Sequence, residues 1–273
     1  MQDLFAALEE PARSIRARKS THEADATAPT PAPRRRVGYA QAAAFAVLAF
    51  ILVALWPADW IENLRSDFHT AAGLQQSITL ADGSQLLLNT DTAVTVDMTA
   101  EERRVQLLRG EAFFEVEHAP ERPFWVEAGD TRVRVTGTAF SVGRTDDRVT
   151  VTVAEGRVET SGEGSASPPV VLTAGQSMRY LGNRPEAVQT VDLNKELAWR
   201  NGRLIFVQAP LFRVVEEINR YRPGSIVITN AAARDRPVTA VFSIHRLDDA
   251  IAALEQTLGL HARRFTSYLI LLG

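Results

Sequence analysis

Two carboxylates on one predicted strand are the residues with the plainest capacity for chemistry. Glu115 and Glu117 stand two residues apart in a stretch that alternates apolar with polar side chains, so both point to the same face of the strand. Their separation of about 7 Å falls within the range of glycosidase carboxylate pairs. Every neighbouring predicted strand also presents a polar face to water, which explains the pair without catalysis. We therefore predict no enzymatic activity.

The composition argues against several other kinds of site. The chain has no cysteine, which excludes disulfides and thiolate metal sites, and no phosphate-binding glycine motif follows a predicted strand. The formal net charge of −3 argues against a broad nucleic-acid surface. The histidines lack the spacing of metal ligands; they are His22, His69, His118, His245 and His261. We expect no cofactor, no metal and no direct contact with nucleic acid.

The elements that would position these residues begin with an all-β domain, predicted over 77–191. Short stretches of alternating apolar and polar residues follow one another there, separated by turns such as Asp82-Gly83. The alternation buries one face of each strand and leaves the other in water. It is typical of an antiparallel sandwich or of a stack of short solenoid strands.

A small α/β domain is predicted over 192–273, because the period of the apolar residues changes near its start. One helix is predicted over 210–220 and another over 247–258, where acidic residues open the helix and Gly259 ends it. Short apolar strands flank both helices. The predicted order is therefore βαβ followed by βαββ.

A segment of full membrane-spanning length precedes both domains. Residues 37–57 carry no charge, and at helical rise they cover about 30 Å, the thickness of the hydrocarbon core of a bilayer. Arg34, Arg35 and Arg36 stand directly before the segment, which places its N-terminal side in the cytoplasm. We predict one transmembrane helix in the inner membrane, rather than a buried core helix or a cleaved signal peptide.

This prediction also divides the remaining residues. Residues 1–36 are expected to form a short cytoplasmic tail with a disordered, proline-rich linker. Residues 58–76 are expected to form a juxtamembrane linker, in which Ile61, Leu64 and Phe68 are spaced for one face of a short helix.

An ordered series of motifs resembles the FecR-type regulators of bacterial cell-surface signalling. The matching stretches, in chain order, are LADGS at 80–84, LN at 88–89, LLRGEAFFEV at 107–116, RPF at 122–124, VTGTAFSV at 135–142, EGRV at 155–158, AGQ at 174–176, WRNGRLIF at 199–206, PL at 210–211 and EINRY at 217–221. Each stretch alone is a weak signal. The ordered set is specific, and it spans nearly all of residues 77–273.

The resemblance implies a single-pass inner-membrane protein whose C-terminal part is periplasmic. That part would comprise an all-β FecR domain and a second domain like the short N-terminal domain of secretins and TonB-dependent receptors. It would sense the signalling domain of a TonB-dependent outer-membrane receptor, commonly an iron–siderophore receptor. The cytoplasmic part would bind an extracytoplasmic-function sigma factor as an anti-sigma factor.

One departure from the family pattern concerns the N-terminus. Family members carry a helical sigma-binding domain with tryptophans before the span. Residues 1–36 are shorter than that domain and contain no tryptophan. Two explanations stay open: the true start codon lies upstream, or the protein has lost sigma-factor binding. The second would leave a membrane-tethered periplasmic interaction or structural module.

Partner docking is predicted at the α/β domain, whose strand edges could pair with a similar domain. We predict that Arg220, Tyr221 and Arg222 form an exposed aromatic and basic corner at the end of its first helix. An alternative stays open, in which Tyr221 only packs at the end of that helix.

The junction Gly137-Thr138 carries a further reaction that the resemblance implies. Some similar proteins cut themselves at a Gly-Thr junction in the corresponding motif. Thr138 Oγ would attack the carbonyl carbon of Gly137 and convert the amide to an ester, which requires a strained peptide bond and a donor for the developing oxyanion. The alternative is structural, with Gly137 in a bulge and Thr138 an ordinary strand residue.

Overall fold

The computed structural model describes residues 59–164, 168–266 and 268–273. The predicted tail at 1–36 and the predicted transmembrane helix at 37–57 lie outside the described residues. Within the described ranges, no helix combines the length and the apolar character needed to cross a membrane.

A short helix and fourteen strands make up the first part of the described chain. The helix α1 spans Asp59–Arg65. The strands are β1 Phe68–His69, β2 Gln76–Thr79, β3 Gln85–Leu88, β4 Ala93–Met98, β5 Arg103–Glu115, β6 Phe124–Ala128, β7 Thr131–Val135, β8 Ala139–Thr145, β9 Arg148–Glu155, β10 Arg157–Gly162, β11 Val170–Thr173, β12 Gln176–Leu181, β13 Arg184–Pro185 and β14 Gln189–Thr190. We call residues 68–190 the β region.

The strands of the β region join into one 14-stranded sheet, which curls into a half-barrel. The long strand β5 makes this possible, because its first half pairs with β4 and β6 and its second half pairs with β3 and β8. The halves meet at Gly110, whose φ of +83° lies in the left-handed region. A Cβ there would collide with Asp91 and Thr92, so the position requires glycine. One continuous sheet thus replaces the expected sandwich or solenoid.

The apolar residues of the strands face the inside of the half-barrel. In β7, Thr131, Val133 and Val135 are buried and alternate with arginines that are exposed or half-buried. In the middle of the core, the ring of Phe114 stacks on Phe140 with centroids 5.1 Å apart. The alternation predicted from the sequence is confirmed in this all-β part of the fold.

Residues 192–273 form the C-terminal unit. Its elements are α2 Leu193–Glu196, β15 Arg203–Pro210, α3 Leu211–Arg220, β16 Ser225–Ile228, β17 Pro237–Ser243, α4 Leu247–Leu258, β18 Ala262–Arg264 and β19 Leu269–Leu272, with 3-10 turns at Ala198–Asn201 and Ala231–Ala233. From β15 onward their order is the predicted βαβ followed by βαββ. Strands β15 and β17 form one small sheet, and β16, β19 and β18 form another.

Both helices of the C-terminal unit bury the face that the sequence predicts. The buried residues of α3 are Leu211, Val214, Val215 and Ile218. In α4, Asp248 and Asp249 lie in the first turn, and Gly259 ends the helix with a φ of +62°. These local signals are sufficient because each acts within one or two turns of the helix.

The segment before the β region differs from the predicted linker. Phe68 belongs to β1, which pairs with β4, and it does not continue the face of α1. Leu64 of α1 is 70% exposed. The helix is therefore shorter than predicted, and the chain enters the sheet earlier than residue 77.

Candidate functional site

A group of polar contacts lies where the C-terminal unit meets the β region. Tyr221 is the C-cap residue of α3 and is only 3% exposed. Asn89, which follows β3, donates from Nδ2 to the Tyr221 hydroxyl oxygen at 2.7 Å. Burial, with Glu111 nearby, raises the pKa of Tyr221 above its usual value, so the hydroxyl stays neutral.

Arg220 supplies charged contacts at the same place between the two parts. Its guanidinium lies 3.2 Å from a carboxylate oxygen of Glu111 in β5 and 2.9 Å from one of Glu217 in its own helix. Burial opposes the charge on Arg220, but Glu217 and Glu111 outweigh it and raise its pKa. The backbone takes part as well, because the Thr90 hydroxyl donates to the Arg220 carbonyl oxygen at 2.8 Å.

The chain segment that follows α1 contacts the same group of residues. The Gly73 amide donates to Thr90 Oγ1 at 2.8 Å. Gln75 Nε2 donates both to Asn89 Oδ1, at 2.9 Å, and to the Trp199 carbonyl oxygen of the C-terminal unit, at 3.1 Å. We call the contacts of Asn89, Thr90 and Glu111 with Gln75, Arg220 and Tyr221 the junction. It joins three parts of the chain that are far apart in sequence.

A second polar cluster fastens α1 to the β region beside the junction. Arg109 contacts Glu62 at 3.2 Å and donates to Asn63 Oδ1 at 2.7 Å, both of which belong to α1. Its Nε lies 3.0 Å from a carboxylate oxygen of Asp91. Residues of this cluster and Arg220 line the same cavity of about 380 Å³. The helix that follows the predicted membrane span is thus held within reach of the C-terminal unit.

The predicted exposed corner at 220–222 requires a correction. Tyr221 is buried against the β region, as in the alternative that it packs at the helix end, because Asn89 supplies a partner for its hydroxyl. Arg220 is engaged by two carboxylates, and Arg222 is half-buried. The expected exposure of Tyr221 is wrong. The role of the three residues in binding a partner stays a prediction.

The predicted cleavage site, the peptide bond Gly137-Thr138, lies in the bend between β7 and β8. Thr138 is 9% exposed, and its Oγ1 has no hydrogen-bond partner among the described residues. Its carbonyl oxygen accepts from the Val116 amide at 3.0 Å. A Cβ on Gly137 would collide with His118, so this close approach requires glycine. Gly137, Thr138 and His118 line an open groove of about 620 Å³.

Glu115 and Glu117, the two carboxylates predicted on one strand, do not form an isolated pair. Glu115 ends β5 and lies 2.9 Å from Arg200 of the C-terminal unit. The guanidinium of Arg200 stacks over Phe113, 3.5 Å from the ring centroid. Glu117 lies beyond the strand. The geometry favours the interpretation that Glu115 belongs to the contact between the two parts.

Three functional candidates were missed by the sequence reasoning. Asn89 and Glu111 lie within motifs quoted for the family resemblance, but neither motif indicates which residue it meets. His118 was dismissed because it lacks a second histidine at metal-ligand spacing, and its place beside Gly137 depends on the pairing of the strands. For Asn89 and Glu111 the missing information was how α3 packs on the β region, and for His118 it was the pairing of the strands.

Comparison with known proteins finds relatives of this fold. Residues 66–159 match the family model described as FecR protein. Two crystal structures of a candidate anti-sigma factor from Parabacteroides distasonis ATCC 8503 are each 26% identical to the chain, with TM-scores of 0.64 and 0.63. They cover 76% and 75% of this chain and 97% and 96% of their own. No curated protein matches the chain.

These matches define a class of regulatory signalling proteins, whose members are regulators rather than known enzymes. Within that class, residues 66–159 match the FecR family. The matched range runs from the end of α1 to β10 and includes three residues of the junction, Asn89, Thr90 and Glu111.

Proposed function

We propose that this chain is an inner-membrane signal transducer of the FecR type. The part that follows the predicted span lies in the periplasm and senses the signalling domain of a TonB-dependent outer-membrane receptor, with iron–siderophore signalling as its context. The other side regulates an extracytoplasmic-function sigma factor. The FecR match and the assignment of the structural neighbours as candidate anti-sigma factors support a sigma factor as the partner.

One observation carries the proposal, namely that the junction ties the C-terminal unit to the chain segment leaving α1. A domain that docks on the C-terminal unit and shifts α3 would displace Arg220 and Tyr221. Their contacts with Asn89, Thr90 and Glu111 would then change. Gln75 bonds Asn89 and the C-terminal unit together, so the change reaches the segment nearest the membrane.

A reporter in the native bacterium tests this proposal with the full chain. Transcription from a promoter of an extracytoplasmic-function sigma factor of that bacterium is measured with and without a receptor's signalling domain in the periplasm. We expect deletion of the chain to change the output, and the receptor domain to act only when the chain is present. A reporter indifferent to the chain would favour the second class, a membrane-tethered periplasmic interaction or structural module.

The proposed topology has its own test. A periplasm-dependent enzyme is fused after Gly273, and a cytoplasm-dependent enzyme is fused there in a parallel strain. Arg34–Arg36 before the apolar segment predict activity of the first fusion alone. Activity of only the cytoplasmic fusion would remove the basis of the periplasmic role.

A second candidate activity is self-cleavage at Gly137-Thr138, and the specific observation in its favour is the unpartnered Thr138 Oγ1. The hydroxyl oxygen would attack the Gly137 carbonyl carbon while its proton passes to the amide nitrogen. The C–N bond breaks and an ester forms, leaving Thr138 with a free amine. Water then hydrolyses the ester, which restores the hydroxyl and leaves a carboxylate on Gly137.

Mass spectrometry of the purified chain decides this candidate. Fragments ending at Gly137 and beginning at Thr138 are expected for the wild type and for Thr138→Ser, which keeps a hydroxyl. Thr138→Val keeps the shape but removes the nucleophile, so it should stay whole. An intact wild type, or equal cutting of Thr138→Val, would show that Thr138 serves a structural role only.

A further inference from the structure

The three-stranded sheet of the C-terminal unit has two edges, β16 and β18, because β19 lies between them. Edge strands carry unpaired N–H and C=O groups, and a strand from another protein can pair with them. The backbone contacts of each edge therefore indicate where such a strand can bind. The inference below rests on the proposed function, in which a partner docks on this unit.

The β16 edge is closed by a side chain from α3. Asn219 Nδ2 donates to the Ile226 carbonyl oxygen at 3.0 Å, and the Ile226 amide donates to Asn219 Oδ1 at 2.8 Å. Ile226 is the residue whose backbone faces away from β19, because its neighbour Ser225 donates to Tyr268 on the β19 side. The Asn219 side-chain amide thus takes both hydrogen bonds that an added strand would make with Ile226.

The other small sheet is protected by its backbone. The pairing of β15 with β17 shifts between Phe206 and Ala209, and Gln208 within this irregularity has a φ of +50°. Pro210 ends β15 and Pro237 begins β17. Bulges and prolines at strand edges oppose the addition of another strand.

The β18 edge remains open at one residue. His261 and Gly273 exchange both of their backbone hydrogen bonds, so by the antiparallel alternation Ala262 and Arg264 face away from β19. The Ala262 amide is taken by the Glu255 carboxylate of α4. No contact within the described ranges takes up the outward backbone groups of Arg264.

We propose that the β18 edge at Arg264 binds an extended strand of the partner, and that this strand carries carboxylates. Arg263 and Arg264 are both exposed, so carboxylates on the incoming strand would complement their charge. A second copy of this chain is a poorer occupant, because pairing two β18 edges would bring arginines together. Phe265 and Tyr268, each 64% exposed, offer aromatic anchors beside the short edge.

The test measures binding of the full purified chain to the recombinant signalling domain of a TonB-dependent receptor from the same bacterium. Arg264→Pro removes the outward N–H without touching a hydrogen bond of the sheet. Arg263→Glu/Arg264→Glu keeps the backbone and reverses the charge. Arg203→Glu, an exposed arginine of β15, is the matched control. We expect each edge variant to weaken binding about tenfold or more, and the control to bind like the wild type.

Amide hydrogen exchange gives a second readout that does not depend on a variant folding. Binding should slow exchange of the Arg264 amide, because that group would then donate to the incoming strand. Unchanged exchange at Arg264 on binding, or wild-type affinity of both edge variants, would overturn the edge proposal and leave the proposed function standing. A wild-type chain that does not bind the receptor domain would contradict the proposed function, and the edge proposal with it. Dimers lost in Arg264→Pro would identify a second copy as the occupant instead.

Discussion

The β region and the C-terminal unit use β-strands in opposite ways. In the β region a continuous ladder curls around one core, and the apolar side chains of β7 and β9 point inward. The β region leaves Leu74, Val171, Leu181 and Val188 exposed. The smaller C-terminal unit leaves more large apolar residues in water, in its two small sheets and next to β18 and β19; these are Val207, Val227, Val241, Phe265, Tyr268 and Leu269. Exposed apolar residues grouped on a small unit indicate an interaction surface, whereas the half-barrel serves as its support.

The contact between the two parts is also instructive, because much of it is polar. Apolar residues such as Phe113 do reach across, but the junction adds neutral and charged hydrogen bonds that have specific directions. Apolar contacts tolerate sliding, while these bonds are lost when the geometry changes. A contact of this kind therefore responds to a change in the relative position of the two parts.

The largest expected effect is in the core of the β region. Phe114→Ala removes a ring that stacks on Phe140 and meets Phe124 edge-on, with centroids 6.2 Å apart. The cavity and the lost burial should lower the free energy of unfolding by about 3–5 kcal/mol. Urea denaturation measures the change. Phe265→Ala, at an exposed phenylalanine of the C-terminal unit, should change it little, and similar losses for both variants would contradict the contrast.

The next effect concerns the charged pair of Asp82 and Arg103. Arg103 is 1% exposed and lies 2.9 Å from the Asp82 carboxylate. Burial opposes ionisation of Asp82, but hydrogen bonds from Ser84 and Arg103 outweigh it and hold the pKa of Asp82 below its usual value. Asp82→Asn leaves the buried Arg103 without its counter-charge, which should cost about 3 kcal/mol at neutral pH.

The same pair predicts a pH dependence. Because the folded pKa of Asp82 is the lower one, its contribution is complete above the unfolded value of about 4 and is lost as the pH falls through the folded value. The difference in unfolding free energy between wild type and Asp82→Asn should therefore shrink below about pH 4. A difference that stays constant down to pH 2 would exclude ionised Asp82 as its source.

A smaller effect is expected at the junction. Tyr221→Phe removes the hydroxyl that accepts from Asn89, while Asn89 keeps its bond to Glu111. The loss of one buried neutral hydrogen bond should cost about 1 kcal/mol. Tyr268→Phe is the control, because its hydroxyl lies on an exposed residue. Equal values for the two variants in thermal unfolding would show that the junction adds no stability.

The smallest effect sharpens the comparison with one substitution made in both regions. Val241→Thr, on an exposed side chain of β17, should change the unfolding free energy by no more than about 0.5 kcal/mol. Val151→Thr, at a fully buried position of β9, places a hydroxyl in the core and should cost about 1–3 kcal/mol. A cost at Val241 that matches the cost at Val151 would show that the exposed face is packed in solution.

Local patterns predicted the elements well, and the junction not at all. The stripe of α3 and the alternation of β7 were visible because burial repeats at the period of the element. Asn89 and Tyr221 are 132 residues apart, and only the sheet register and the seating of α3 bring them together. Tyr221 was expected in water for that reason: a tyrosine after a helix gives no local sign of the partner that buries it.

The same limit applies to the edge at Arg264 and to the groove at Thr138. Alternation indicated strands around both, but the order of strands within a sheet decides which backbone groups stay free. The closing of the β16 edge by Asn219 was equally invisible, because it depends on how α3 packs on the sheet.

The most direct measurement of the central claim is transcription from the sigma-factor reporter in cells that carry the full chain. The receptor's signalling domain is expressed in the periplasm beside wild type, Arg263→Glu/Arg264→Glu or the Arg203→Glu control. The account predicts that the receptor domain changes the output with wild type and with Arg203→Glu, and that the edge variant abolishes the change. Equal responses in all three strains would contradict binding at the β18 edge, and no response in any strain would contradict the proposed function.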